Sequence, residues 1–321
     1  MIDMKRMLWM MMLVGLAALF AACSGNTEPA SSGTGTDVDT SVEEVSLDDQ
    51  LVAAVNAEDV AEVERLLSEG ADASVEESDD FFSNPILRSA VMDGNVEITR
   101  LLITNGADVN ARDSKGNSVL RRAITGGHTE LVALLIDAGA DATAVEGDDN
   151  ALLPLAVQTG DIEVVRMLLD AGADVNDEAG TGLVVGIFNM QFPAPSIHVA
   201  AARGMEDILQ LLIDNGANVN QSVSVDGEND WPPLTFAAVG NHVETIELLV
   251  ANGAEIEGTT EDVNPLVMAA ITGQREATLK LIELGADVNR RDEFGNIALG
   301  EARNADQEAI VEILLEAGAE E

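Results

Sequence analysis

The sequence has a single cysteine, Cys23, among 321 residues. Exported domains that rely on disulfides carry several cysteines, so packing alone must hold this chain together beyond Cys23. Its three histidines are widely separated and offer no metal-binding cluster. The sequence also lacks a Gly-x-Ser-x-Gly elbow, a phosphate-binding loop and a His-Glu-x-x-His motif. We therefore expect a non-catalytic protein with no cofactor, no metal and no small-molecule substrate.

Basic residues are scarce. There are 16 Lys and Arg against 58 Asp and Glu, which gives a formal net charge of −42. Phosphate binding requires clustered Lys and Arg, so the composition excludes nucleic acid and anionic lipid as ligands. A charged protein partner is expected to be basic. The alternative is that the acid merely solvates the surface, as in salt-adapted organisms, because net charge governs solubility and not fold.

The N-terminus differs from the rest of the chain. Lys5 and Arg6 precede an apolar run of 16 residues, 7–22. A membrane-spanning helix needs about 20 apolar residues, so this run predicts a cleaved export signal over 1–22. Residues 23–46 are rich in Ser, Gly, Thr and acid without apolar periodicity, which predicts a flexible tether.

Cys23 directly follows the small residues of LFAAC. This arrangement resembles the lipobox of bacterial lipoproteins, which implies that Cys23 is lipidated, with palmitate among its acyl chains, and becomes the new N-terminus. Ser24 at the next position implies the outer membrane, with the chain facing the periplasm. Phe20 stands where that family usually has leucine, and an ordinary signal peptide with an incidental cysteine is the alternative.

A motif of the type Gly-Ala-Asp-Val-Asn ends a repeating unit eight times along the chain. We call the first glycine of each motif its marker glycine. Successive marker glycines are 36, 33, 33, 44, 37, 32 and 33 residues apart. Such a period predicts a solenoid of stacked units rather than one globular core. The marker glycines are Gly70, Gly106, Gly139, Gly172, Gly216, Gly253, Gly285 and Gly318.

The third unit shows the local pattern. Residues 118–125 predict a short helix, with the small Ala123 where a neighbouring helix comes close. Thr129 is predicted to cap a second helix over 130–138, which has leucines at helical spacing. Gly139 then supplies the left-handed residue that ends this helix.

The spacing, the Gly-Ala-Asp ending and the two-helix pattern together resemble the ankyrin repeat over nearly all of 47–321. The resemblance implies an all-α solenoid of about eight helix-turn-helix units with hairpin loops. Only His198 keeps the histidine of the family's Thr-Pro-Leu-His opening, and a structural role is implied for it. The predicted units are 47–82, 83–113, 114–146, 147–177, 178–220 and 221–257 (both with insertions), 258–290 and 291–321.

Two long spacings place insertions at 177–195 and 221–233. Insertions in repeat arrays fall on the loop face, which is often the binding face. The first insertion contains Phe188, Met190 and Phe192, although loops are normally polar. The insertion therefore either packs back on the array or is exposed and binds a partner.

In ankyrin arrays the residues 14 and 13 positions before each marker glycine face the concave groove. These and the hairpin positions are largely polar in units two to four, whereas units six and seven have Trp231, Val239, Val263 and Ile271. Clustered aromatic and aliphatic residues are typical of an interface centre. We predict a partner site formed by these four residues, the 177–195 insertion and Arg203.

The resemblance implies a protein-binding scaffold of the bacterial envelope, acting through the concave face and loops. A narrower form is an inhibitor or immunity protein. The alternative is a structural envelope protein without a specific partner, whose acidity reflects a saline medium.

Overall fold

The computed structural model describes residues 45–78, 83–147, 150–177, 181–185, 190–224, 230–258, 263–291 and 297–320. The predicted signal sequence, Cys23 and most of the predicted tether lie outside these ranges. Within them the architecture is all-α, with sixteen helices in eight consecutive pairs. In chain order they are α1 (Leu47–Asn56), α2 (Val60–Glu69), α3 (Ile86–Met92), α4 (Val96–Thr104), α5 (Val119–Gly126), α6 (Thr129–Asp137), α7 (Leu152–Thr159), α8 (Ile162–Asp170), α9 (Ser196–Arg203), α10 (Glu206–Asp214), α11 (Pro233–Val239), α12 (Val243–Ala251), α13 (Pro265–Thr272), α14 (Arg275–Glu283), α15 (Ala298–Asn304) and α16 (Glu308–Glu316).

Short antiparallel hairpins connect some of the helix pairs. They are β1 (Glu76–Ser78) with β2 (Ser83–Pro85), β3 (Thr181–Val185) with β4 (Met190–Ala194), and β5 (Val223–Ser224) with β6 (Asp230–Trp231). The β3–β4 ladder runs from Thr181 opposite Ala194 to Val185 opposite Met190. The larger predicted insertion is thus built as an extended two-stranded ribbon that leads into α9.

The helices stack in two layers. Each odd-numbered helix, hereafter an inner helix, contacts the next odd-numbered one, and the even-numbered outer helices do the same. Every inner helix has an alanine 16 positions before its marker glycine, and this side chain is at most 5% exposed. Alanine at this point lets neighbouring inner helices approach closely. The set is Ala54, Ala90, Ala123, Ala156, Ala200, Ala237, Ala269 and Ala302.

The outer helices contribute one fully buried leucine each, four positions before the marker glycine. Burying a leucine side chain stabilises a fold by about 2 kcal/mol, so this column is a main source of cohesion between units. The leucines are Leu66, Leu102, Leu135, Leu168, Leu212, Leu249, Leu281 and Leu314.

The marker glycines end the outer helices in the left-handed region, with φ between 90° and 103°. Gly139, at φ 95°, behaves as predicted. A residue with a Cβ atom is strained in this conformation, which explains why glycine recurs at every unit.

The predicted cap by Thr129 is wrong. α6 begins at Thr129 itself, and His128 occupies the capping position without a side-chain hydrogen bond. The Thr129 Oγ1 instead donates to Oδ2 of Asp161 in the next unit, at 2.5 Å. The Thr129 hydroxyl therefore links two units, and the N-terminus of α6 has no side-chain cap.

An asparagine ladder also joins successive units. In Asn110, Asn176, Asn220 and Asn289 the Nδ2 donates to the carbonyl of the next marker glycine at 3.0–3.2 Å. The Oδ1 of each accepts a backbone N–H two residues beyond that glycine at 2.7–2.8 Å. Thr143 occupies this position in the third unit, and its Oγ1 donates to the nearby Asp141 instead. Among the described junctions, those after the first, third and sixth units lack this asparagine pair, because Ser74, Thr143 and Glu257 stand at the equivalent position.

Candidate partner-binding surface

The inner helices fall into two groups by burial. Four of the seven residues of α3 and four of the eight residues of α5 are buried. In α7, α9 and α13 six of eight residues are buried, and in α11 all seven are. A helix that is apolar and buried all round offers no face to a partner. The open part of the central inner layer is therefore on α3 and α5.

One position per unit, 17 residues before the marker glycine, shows the transition. Ser89 and Arg122 are partly exposed at this position. The next four residues along the array are 9%, 0%, 1% and 8% exposed, respectively; they are Leu155, Val199, Phe236 and Met268. At this position the inner layer is polar and accessible in units two and three, and apolar and buried in units four to seven.

The structure corrects the predicted interface centre at Trp231 and Val239, which are only 5% and 1% exposed. The Trp231 ring lies against Phe236, with ring centroids 5.5 Å apart, so the end of the hairpin packs on α11. Apolar side chains at these positions bury against each other because leaving them in water costs about 25 cal/mol per Å². They belong to the core, and a partner has no access to them.

The other predicted site residues do not form one patch. Val263 and Ile271 are partly buried against the core. The backbone carbonyl of Val263 accepts a hydrogen bond from Thr235 Oγ1 at 2.9 Å. Arg203 is exposed, and its Nη1 donates to the carbonyl of Gln158 in the preceding unit at 2.7 Å. Arg203 thus contacts the preceding unit, whereas Val263 and Ile271 belong to a unit two further along the array.

The rest of the predicted site concerns the 177–195 insertion. Phe188 lies outside the described residues. Met190 and Phe192 lie in β4, where the backbone register places them opposite Val185 and Leu183, and their side chains are outside the description. Binding by this insertion stays a prediction.

His198 is fully buried in α9, and its ring meets that of Phe236 edge-on, with centroids 5.5 Å apart. Burial lowers the pKa of His198 to about 4, and the nearby backbones of Gln221 and Trp231 partly oppose this shift. Within the described ranges, neither ring nitrogen has a partner in good hydrogen-bonding geometry. The imidazole is therefore a neutral core group at physiological pH.

Charge is separated between the two layers. The six inner helices α3 to α13 contain four arginines and no Asp or Glu within their bounds. The six outer helices α4 to α14 contain twelve Asp and Glu and four basic residues. The acidity that dominates the composition is thus carried by the outer layer, by the connecting loops and by the terminal units.

Two of the inner arginines share one carboxylate. Arg122 Nη2 donates to Asp113 Oδ2, and Arg88 Nε lies 3.7 Å from the same oxygen. Asp113 also accepts the backbone N–H groups of Lys115 and Asn117, each at 2.9 Å. Burial by itself would raise the pKa of Asp113, but the hydrogen bonds from Arg122 and from these N–H groups outweigh it and hold the pKa at about 2. Asp113 is therefore ionised throughout the physiological range.

Met92 is the most exposed large apolar side chain on the inner helices, at 50%. It lies four residues after Arg88 on α3, so the two share one face of the helix. Arg88 and Arg122 have side chains 22% and 25% exposed. These three residues are absent from the predicted site. The missing signal was the lack of acid on the inner helices, which becomes visible only after the units are aligned in register.

Within the described ranges, His, Cys, Asp and Glu side chains do not gather in a group of three that could hold a metal ion. None of the described helices combines the length and the hydrophobicity needed to cross a membrane.

Stacked helix pairs, a closed core along one dimension and a polar inner strip define a helical repeat scaffold. The sequence profile described as "Ankyrin repeats (3 copies)" matches residues 51–146, 89–179 and 197–292, which is more than half of the chain. The chain belongs to the ankyrin repeat family. Proteins of this fold are typically non-catalytic interaction scaffolds that bind other proteins.

Several known proteins are similar to it. The Transient receptor potential cation channel subfamily A member 1 homolog of Caenorhabditis elegans is 31% identical over 121 residues, which are 38% of this chain and 10% of that protein. Ankyrin repeat and SOCS box protein 6 of Pongo abelii is 33% identical over 129 residues, covering 37% of this chain and 30% of that protein. The chain thus spans less than a third of these relatives.

Among solved structures, the human ASB11 ankyrin repeat domain superposes with a TM-score of 0.61 and 26% sequence identity. The match covers 73% of this chain and 98% of that domain.

Proposed function

We propose that this chain is a non-catalytic protein-binding module that engages its partner through the open inner surface of α3 and α5. The observation that carries this proposal is the contrast in burial along the inner layer. Met92 is half exposed on α3, whereas most residues of the inner helices α7, α9, α11 and α13 are buried. Exposed Met and Arg on a rigid helical surface are the residue types that protein interfaces favour.

Photo-crosslinking in the native host tests the proposal. A photoreactive amino acid replaces Met92 in one variant and Leu279 in another. Leu279 is 40% exposed on the outer helix α14 and serves as the matched control. We expect a defined cross-linked protein from position 92 and none from position 279. Equal labelling at both positions, or none at 92, would contradict binding at the inner surface.

We further propose that the chain is exported and anchored in the bacterial outer membrane through lipid at Cys23, facing the periplasm. The support is the sequence pattern of residues 1–24. A Cys23→Ser variant should lose incorporation of labelled palmitate and appear in the soluble fraction. The control is Ser24→Ala, which leaves the cysteine intact. Membrane retention of the Cys23→Ser variant would count against lipidation.

The narrower form of the proposal is an inhibitor or immunity protein, for which the bound partner is an enzyme or toxin. Once the cross-linked partner is known, its activity with and without the purified chain distinguishes inhibition from simple tethering.

A further inference from the structure

From the charge separation and the geometry of α3 and α5, we propose that the inner strip Arg88, Met92 and Arg122 binds an acidic segment of the protein partner. This inference rests on the proposed function and adds the chemistry of the ligand. It reverses the sign expected from the net charge of the whole chain.

Arg88 and Arg122 together supply more hydrogen-bond donors than one carboxylate accepts. Each guanidinium has five N–H groups, and Arg88 and Arg122 meet at one carboxylate, that of Asp113. A single carboxylate accepts only part of this set. Both side chains keep about a quarter of their surface exposed. The Nε atoms of both arginines are buried, so a second carboxylate, from a partner, would bind to a terminal nitrogen of either guanidinium beside Asp113.

Two carboxylates near the strip, those of Glu77 and Glu146, are already engaged. Glu146 is 3% exposed and accepts hydrogen bonds from both the backbone N–H and the hydroxyl of Ser118, at 2.6 and 2.7 Å. Glu77 accepts from Asn56 and from Ser89, each at 2.9 Å. These two acids are held by internal donors and offer little to a basic ligand, whereas Asp93, which directly follows Met92, stays exposed.

The net charge of the chain acts on a bound ligand only over a limited distance. Long-range repulsion by a net charge of −42 opposes any acidic ligand. At physiological ionic strength, however, charges are screened beyond about 8 Å. Packed helices lie about 8–10 Å apart axis to axis, and side chains on the outer layer point further away. A carboxylate bound at the strip therefore interacts mainly with the nearby arginines.

Apolar contact completes the strip. Met92 lies one helical turn from Arg88 and exposes half of its surface. Its flexible thioether side chain suits an irregular apolar partner residue. The segment that fits carries a carboxylate followed or preceded by an apolar side chain.

Fluorescence anisotropy tests the chemistry with defined probes and the full-length chain purified in detergent. The probes are a short labelled peptide of alternating Glu and Leu, and the same peptide with Gln or with Lys in place of every Glu. We expect the Glu peptide to bind at least about tenfold more tightly than the Gln peptide, as one charge-assisted contact would give. Tighter binding of the Lys peptide, or equal binding of all three, overturns the inference.

Variants locate the site. Met92→Glu should weaken binding of the Glu peptide about tenfold, because it places a like charge beside the bound carboxylate. Leu279→Glu makes the same change on the outer layer and should have no effect. Arg88→Lys keeps the charge and should retain more binding than Arg88→Gln. Equal affinities for the Met92→Glu chain and the unmodified chain would refute this location.

The two proposals fail in different ways. If position 92 cross-links a native partner but the Glu peptide has no advantage, only the acidic specificity is lost. If position 92 captures no partner in the host, the proposed function itself fails.

Discussion

A fall in pH should lower the stability of the array through one residue, His198. Its pKa is about 4 in the folded chain and about 6.5 when unfolded, so the unfolded state binds the proton more tightly. The stability contributed by the neutral imidazole is complete above pH 6.5 and is lost as the pH falls towards 4. The full difference corresponds to about 3 kcal/mol, of which about 2 kcal/mol is lost by pH 5.

The surroundings of His198 leave little to offset a positive charge. α7 and α11, the inner helices on either side, contain no titratable residue within their bounds. In α9 itself the other charged side chain is Arg203, which is exposed and directed at Gln158. From β6 the ring of Trp231 and from α11 the ring of Phe236 complete the apolar contacts. The acidic side chains of residues 226, 228 and 230 lie outside the description.

Urea unfolding followed by tryptophan fluorescence is the appropriate assay, because Trp231 packs on the same Phe236 that His198 contacts. The other tryptophan is Trp9, in the predicted signal sequence, and a Trp9→Phe background removes it. A local probe matters here since repeat arrays need not unfold in one step.

The comparison is between the parent chain and His198→Leu at pH 7.5 and pH 5. Between pH 7.5 and pH 5 we expect the free energy of unfolding of the parent to fall by about 2 kcal/mol more than that of the variant. The carboxylates are the same in both chains, so their contribution cancels in this difference. His242→Gln, which retains His198, should lose as much as the parent. If the parent and His198→Leu decline equally, the buried neutral histidine is not the cause.

Three further predictions concern cohesion of the array, and all are measured by chemical unfolding. Thr143→Asn should raise stability by about 1 kcal/mol, because asparagine can bridge to Gly172 and Asp174 as its equivalents do elsewhere, and an unchanged midpoint would count against the ladder. Asn176→Ala should cost about 1–3 kcal/mol by removing both hydrogen bonds to the next unit; a cost below that range would show that the ladder is dispensable. Leu212→Ala, at a fully buried site, should cost about 2–5 kcal/mol, whereas the 43% exposed Leu315→Ala should cost well under half of that, and equal costs would refute the assigned core.

Much of the fold was predictable because each unit repeats the same local signals. Gly139 ends a helix in the left-handed region as expected, and the leucine four residues before it is fully buried. The side-chain partner of Thr129 was not predictable, since it belongs to the next unit. The division of the chain at residues 22 and 46 stays a prediction.

The candidate site was predicted less well, for a reason visible at Trp231. The sequence shows that Trp231 and Val239 are apolar, and their distances from the marker glycine place them at loop and groove positions. It does not show whether such side chains meet a partner or each other. In the structure they meet the array, and the accessible inner surface lies instead at Met92 and its neighbouring arginines.

The sequence by itself determined the repeat, the glycine ends of the outer helices and the apolar face of those helices, because these depend on contacts within a unit or between similar neighbours. Only the tertiary structure decided which inner helices are closed and where the acid lies. Those properties arise from stacking, which places residues from different units side by side and separates the two helices of each pair into layers. The net charge is a sum over all residues, whereas a partner that binds the inner surface contacts the side chains of one layer.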